Sequence, residues 1–334
     1  MTAITLDPSL TLQTSNKESQ HRVVVEEIDG LIKVYKDGHV ERPQIMPCVT
    51  PSLAPELGIT CKDMIIDNYT NIWARLYVPN ATQLGKVLPL LVYFHGGGFC
   101  VGSASWICYH EFLAKLASKA NCIIVSVNYR LAPENPLPAA YEDGVKAVIW
   151  TRQQAFVNNW WTNKCNFSSI YLAGDSAGAN IAYNVSLRLK GILDIKGLIL
   201  VQPFFGGEVR TQSEKYMVQP PRSALTLAAS DTYWRLSLPD GANRDHSWCN
   251  PVAQGAEKLL DDLKNFDIMV SVSELDILKD RNLEFCQKLA SGGLRVEQVV
   301  SKGVGHAFQI LNKSSLSQSR VLELICRIKS FICR

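Results

Sequence analysis

The feature that most constrains this chain is a recurrence of short runs that are apolar throughout rather than at alternate positions. LPLLVYFH (88–95), CIIVSVNYR (122–130), SSIYLAG (168–174), KGLILVQPFF (196–205) and DIMVSVSEL (267–275) are of this kind or close to it, and the more polar RVEQVVSKG (295–303) reads as the last strand. A strand without polar alternation is one buried on both faces, as in a parallel sheet covered by helices. Segments with helical spacing fall between or after them: HEFLAKLASK (110–119), AAYEDGVKAVIWTRQQ (139–154), ANIAYNVSLRLK (179–190), NLEFCQKLASGG (282–293) and SQSRVLELICRIKSFI (317–332). The rhythm predicts an α/β fold with a mostly parallel central sheet and helices on both faces.

Two regions stand outside the rhythm. At the N-terminal side, DGLIKVYKDGHVER reads as a short strand pair punctuated by Asp-Gly, and MIIDNYTNIWARLYVP (64–79) as a hairpin around Asn68–Asn71. Residues 1–22 are polar and are expected to be disordered, leaving 23–334 as a single domain. The interval 206–266 interrupts the strand–helix alternation with a proline-bearing polar stretch and a helix-like SDTYWRLSL. It is read, together with the N-terminal segment, as a cap over the sheet's C-terminal edge, contributed by about 23–60 and 206–250.

Several functions are disfavoured by composition. A net charge of +3 over 334 residues, with no long Lys/Arg run, argues against nucleic acid as a partner. No apolar stretch approaches the ~20 residues of a membrane span, and the first thirty residues lack a signal-peptide pattern. The ten cysteines form no C-x-x-C pair and have no zinc-ligand spacing with histidines, which predicts free thiols, a cytoplasmic location and no metal. No dinucleotide fingerprint is present, so no cofactor is expected. The expected partner is a small molecule bound by a monomer or homodimer.

The chemistry centres on YLAGDSAGAN (171–180). Ser176 lies between Gly174 and Gly178, after a predicted strand and before a predicted helix. In that context Gly-x-Ser-x-Gly describes a tight turn that projects the hydroxyl outward, with glycines where a Cβ would strike neighbouring backbone. A serine hydroxyl needs a base to become a nucleophile. Of the six histidines, His306 in SKGVGHAFQI follows the last predicted strand, and Asp276 in SVSELDILKD ends the strand before it. The chain order Ser176, Asp276, His306 is that of α/β-hydrolase triads. Asp280 falls a helical turn too late, Glu274 alternates to the other face, and His246 reads as a structural histidine. With His306 neutral as the base, the rate should fall through an apparent pKa near ~6.5–7 as pH drops.

Charge developing on a substrate oxygen needs donors already in place. FHGGGFCVGS (94–103) runs a strand into three glycines, and the N–H groups of Gly97, Gly98 and Ala177 are the expected oxyanion hole. A phosphate cradle is disfavoured, since no G-K-[ST] follows. His95 reads as a prop for this loop. Phe205, Tyr233 and Trp234, in the FFGGEVR and SDTYWRLSL of the expected cap, are the expected walls of an apolar pocket over Ser176.

HGGGF (95–99), YRLAPE (129–134), LPAAYEDG (137–144), GDSAGAN (174–180) and GVGHAF (303–308) together resemble the plant carboxylesterases, in the hormone-sensitive-lipase-like branch of the α/β-hydrolase fold. The resemblance extends from about residue 25 to the C-terminus. It implies Ser176 as nucleophile, His306 as base, Asp276 as the acid and the HGGG loop as oxyanion hole, under a cap. The implied activity is hydrolysis of small hydrophobic plant-metabolite esters, including terpenoid, phenylpropanoid or alkaloid esters and hydrolysis followed by decarboxylation. Asn135 departs from the histidine many members carry after YRLAPE. Gibberellin-receptor members of the family have lost the catalytic histidine and bind a hormone instead, and other members are dehydratases or cyclases. His306 is present here, so a receptor is the alternative and an esterase the expectation.

Overall fold

The computed structural model describes residues 22–80, 87–157, 159–219, 223–253, 263 and 266–334. The expectation of disorder for 1–22 therefore lies, Arg22 apart, outside the described residues. The chain divides into two units at the Pro43–Gln44 junction. In the first, β1 (Val24–Ile28), β2 (Ile32–Tyr35) and β3 (Val40–Glu41) form an antiparallel sheet in the order β1-β2-β3. The two Asp-Gly dipeptides turn the chain between them, so the expected strand pair has a third member.

The second unit is an eight-stranded sheet built from β4 (Ile59–Asp67), β5 (Ile72–Pro79), β6 (Leu88–Phe94), β7 (Ile123–Asn128), β8 (Cys165–Asp175), β9 (Gly197–Val201), β10 (Asp267–Ser273) and β11 (Arg295–Ser301). Their spatial order is β11-β10-β9-β8-β6-β7-β5-β4. The pairs from β11 to β7 are all parallel, and β4 and β5 add an antiparallel edge hairpin. The parallel strands β6, β9 and β10 and the Ile170–Asp175 half of β8 are almost wholly buried, as their apolar runs require.

The α-helices of the described residues are α1 (Ile107–Ala120), α2 (Ala139–Val157), α3 (Asn159–Lys164), α4 (Ala177–Leu189), α5 (Gln212–Tyr216), α6 (Leu227–Ser237), α7 (Lys279–Ser291), α8 (Phe308–Leu311) and α9 (Ser315–Ile332), the last two following the final strand. One core layer packs Phe112, Leu113 and Leu116 of α1 and Leu324, Ile328 and Phe331 of α9 against Tyr93, Ile124, Tyr171 and Met269 of the sheet. The opposite face receives α4, whose buried side includes Ile181, Tyr183 and Val185.

Register decides where the chemistry can assemble. Phe94, Gly174, Leu200 and Val270 form one row across four neighbouring strands. The loops leaving β6, β8, β9 and β10 therefore emerge side by side at the C-terminal edge, where open α/β sheets bind ligands.

Among the described residues the interruption at 206–250 contains two helices, α5 held to α7 by charge and α6 held to the flanking loops of the same interval. The Thr211 hydroxyl accepts from Glu214 N–H and the Glu214 carboxylate accepts from Thr211 N–H, a reciprocal cap that starts α5. Buried Arg281 of α7 then donates to both Glu214 oxygens, at 3.1 and 3.0 Å. Asp231 of α6 accepts from Arg210 and Arg244. Glutamate and arginine buried as a hydrogen-bonded pair avoid the cost of a lone buried charge.

Candidate active site

Between β8 and α4 the chain turns on one residue. Ser176 sits at φ 53°, ψ −120°, a conformation that costs a non-glycine residue about 1–3 kcal/mol and persists only where the surroundings fix it. They do so through main-chain bonds: Ser176 N–H donates to Val201 O at 2.9 Å, and Ser176 O accepts from Phe204 N–H at 3.0 Å. The turn is also packed without slack. A Cβ on Gly178 would lie 1.9 Å from Phe94 O, and one on Gly174 would lie 2.4 Å from the Gly178 backbone. The serine side chain does not cap α4, leaving its hydroxyl to face the sheet edge.

What it faces is His306. Ser176 Oγ lies 2.8 Å from His306 Nε2, and His306 Nδ1 lies 2.7 Å from Asp276 Oδ2. An ionised carboxylate only accepts, so Nδ1 carries the proton and Nε2 is left to accept from the serine. The other Asp276 oxygen accepts from Leu278 N–H at 3.0 Å, which fixes the carboxylate's orientation. All three side chains are buried. Burial alone would depress the histidine's pKa. The Asp276 charge and hydrogen bond, with Asp175 nearby, outweigh it and raise the pKa above its ordinary value.

The HGGG loop crosses directly over the elbow. A Cβ on Gly96 would lie 3.0 Å from Asp175 O, and one on Gly178 2.6 Å from His95 O. Gly97 and Gly98 adopt φ 110° and 58°, which a side chain would resist. Among the described residues, no acceptor pairs with the N–H groups of Gly97, Gly98 or Ala177. Ala177 is the first residue of α4, where helix N–H groups are unpaired and the dipole favours negative charge. His95 stacks on Tyr129 with centroids 4.3 Å apart, and its Nδ1–H donates to Gly96 O at 2.8 Å. Burial lowers its pKa to about 4, so it props the loop as a neutral ring.

Reading the sequence alone missed the support beneath this loop. Gly96 N–H donates to the Tyr109 hydroxyl at 2.7 Å, and that hydroxyl donates to Asp175 Oδ2 at 3.0 Å. The Tyr93 hydroxyl donates to Asp175 Oδ1 at 2.8 Å. Asp175 is buried and its pKa rises to about 6: desolvation lifts it, while both tyrosines and His306 pull it back. A signal was available. An aspartate at the end of an apolar strand, beside a nucleophile, must find donors, and Tyr93 projects from the adjacent strand.

The three expected pocket residues part company. Tyr233 lies against the oxyanion loop, close enough that a Cβ on Gly98 would come within 2.3 Å of its ring. Trp234 stacks on Phe204, with centroids 4.6 Å apart, and tilts against Phe99 at 5.5 Å. It is thereby buried within an aromatic stack that joins α6 to the HGGGF loop. Phe205, expected at the pocket wall, turns its ring to Tyr183 and Phe285 at 5.7 and 4.8 Å, within the packing of α4 and α7. Both residues lie past the end of β9, where the chain after Gln202 sends the two rings to different neighbours.

Comparison with known proteins agrees with this geometry. Residues 91–310 match the family model described as the alpha/beta hydrolase fold. The chain is 53% identical to "Probable carboxylesterase 6" of Arabidopsis thaliana, over 97% of this chain and 96% of the relative. It is 36% identical to 2-hydroxyisoflavanone dehydratase of Glycyrrhiza echinata, over 97% of this chain and 99% of that one. Among solved structures, an esterase of Pyrobaculum calidifontis superposes with a TM-score of 0.68 at 28% identity, covering 81% of this chain and 85% of the other.

Proposed function

Because the chain belongs to the α/β-hydrolase family, with plant carboxylesterases among its relatives, we propose that this carboxylic ester hydrolase works by acyl transfer through Ser176. The observation that carries the reading is the hydrogen-bonded line from Asp276 through His306 to Ser176 Oγ. Ser176 Oγ attacks the ester carbonyl as its proton passes to His306 Nε2. The tetrahedral oxyanion is held by the N–H groups of Gly97, Gly98 and Ala177. His306 returns the proton to the leaving alcohol, and a water activated by the same nitrogen then releases the acid. Asp276 keeps Nδ1 protonated and stabilises the imidazolium that forms at each step.

The substrate class follows from the residues above the loop. Tyr233 on Gly98 and the Phe99–Phe204–Trp234 stack behind it favour a small, fairly hydrophobic ester of specialised plant metabolism, and segment 206–250 serves as the cap. The 53% likeness to a carboxylesterase, against 36% to a dehydratase, favours hydrolysis over elimination. None of the ten cysteines is in a disulfide, which supports a reducing, cytoplasmic setting. No helix among the described residues is long and apolar enough to cross a membrane.

Treatment with an organophosphorus ester is expected to add one phosphoryl group, recovered by peptide mass spectrometry on Ser176. An unlabelled Ser176 in folded protein would place the chain among binding proteins that have lost catalysis. The pH profile offers an independent check. The Asp276 and Asp175 charges raise the His306 pKa, and the base acts only when neutral, so kcat/KM should fall with decreasing pH through an apparent pKa above ~6.5. A profile flat from pH 5 to 8 would remove His306 as the base.

A further inference from the structure

The segment leaving β9 contributes Val201 and Phe204 to the main-chain bonds that hold Ser176, and between them stands a residue with no part in the mechanism above. Gln202 is fully buried and adopts φ 48°, in the left-handed region. Its own N–H donates to Ser271 O of β10 at 2.7 Å. Turned this way, its side chain crosses the end of β10 and reaches the loop that carries His306. Gln202 Oε1 accepts from Ala307 N–H at 2.7 Å. Gln202 Nε2 donates to Ser273 Oγ at 2.5 Å and lies 3.5 Å from Gly305 O. The amide therefore meets the main chain on both sides of His306, and it meets the last residue of β10, three positions before Asp276.

We propose that Gln202 is a positioning residue for His306, fixing the backbone on either side of the imidazole to the same segment that fixes Ser176. The proposal rests on the esterase reading. Three residues within a span of four then set the distance between nucleophile and base: Val201 and Phe204 hold the serine's N–H and carbonyl, and Gln202 holds the histidine's neighbours. Ala307 is itself at φ 55°, a conformation a non-glycine residue keeps only when its surroundings impose it, and its N–H is the one Gln202 accepts. An amide suits the task because one group supplies both an acceptor and donors. Neither a carboxylate nor an aliphatic side chain of that length does.

The test compares wild type with Gln202→Met, which keeps length and removes the hydrogen bonds, on a small aryl acetate. A displacement of the base of the order of 1 Å is expected to lower kcat about 30-fold with KM within about twofold. Phosphorylation of Ser176 by the organophosphorus reagent should slow in parallel. The charged groups facing His306 are Asp276 and Asp175. Loosening the contact to Asp276 should shift the acid limb of kcat/KM to lower pH and broaden or remove the downfield proton resonance of His306 Nδ1–H. A purely structural role would lower Tm while leaving kcat, acid limb and resonance in place, and that result overturns the proposal. Gln202→Glu guards against failure of the Met variant to fold. It keeps an acceptor for Ala307 N–H, so kcat should fall less than tenfold, and the added carboxylate should move the acid limb upward. Wild-type values for both in the Glu variant also overturn the proposal. Wild-type protein that neither hydrolyses the acetate nor takes the label overturns the esterase reading and this one together, whereas active wild type with unaltered variants overturns only the role of Gln202.

Discussion

Ser176→Ala should lower kcat for a small aryl acetate by at least about 10⁴-fold while leaving the fold in place. The loss is large because, in the proposed mechanism, the serine hydroxyl is the atom that bonds to the substrate. His306 and the oxyanion donors survive the change, and they support only a small residual rate by orienting water. The fold should tolerate the substitution, since the hydroxyl caps no helix and its one described partner is His306 Nε2. Alanine at φ 53° is no worse placed than serine, and the main-chain bonds to Val201 and Phe204 do not involve the side chain. Steady-state kinetics alongside thermal unfolding decides the matter. A variant within 100-fold of wild type would mean that another group attacks the ester.

The largest effect on stability is expected at Gly178, where alanine adds a single methyl group. That methyl would sit 1.9 Å from Phe94 O, 2.5 Å from Phe94 C and 2.6 Å from His95 O, all of them backbone atoms at the end of β6. No rotamer change can clear the contact, so either β6 or α4 must move. Gly178→Ala should destabilise the protein by more than about 4 kcal/mol, or prevent folding at 37 °C. Gly191→Ala is the matched control. Its φ is +73° and nothing lies within 4 Å of the added Cβ, so only the conformational cost of about 1–2 kcal/mol applies. Urea unfolding of both variants should separate them clearly, and a Gly178→Ala midpoint equal to that of the control would show that the elbow has room to relax.

Much of the sheet was legible because its strands are apolar on both faces, a pattern that few other structures generate. Runs such as CIIVSV and KGLILV, separated by helical segments, leave little choice of architecture. The positions of Ser176, Asp276 and His306 were legible for a related reason: each stands just past a strand's end, and parallel strands deliver their C-terminal ends to one edge. What the sequence did not disclose were contacts made by side chains far apart in the chain. Tyr109 faces Asp175 because α1 packs beside β6, and Gln202 faces Ala307 because β9 and β11 flank β10. Neither juxtaposition leaves a local pattern. Phe205 shows the same limit in reverse. Its neighbour Phe204 has the same chemistry, and only the direction in which the chain leaves β9 assigns one ring to the loop stack and the other to the helices.

Ser176 and His306 are hydrogen-bonded yet stand 130 residues apart. During synthesis from the N-terminus Ser176 is made long before His306, and Val201 and Phe204, which hold the elbow, also follow it. The loop bearing His306 has no fixed place until β11 has paired with β10. Under the proposed mechanism, a nascent or truncated chain ending before residue 306 is expected to lack turnover, however much of its sheet has formed. Under the proposed mechanism, ester turnover by this protein reports that β11 has joined the sheet and that the elbow has closed.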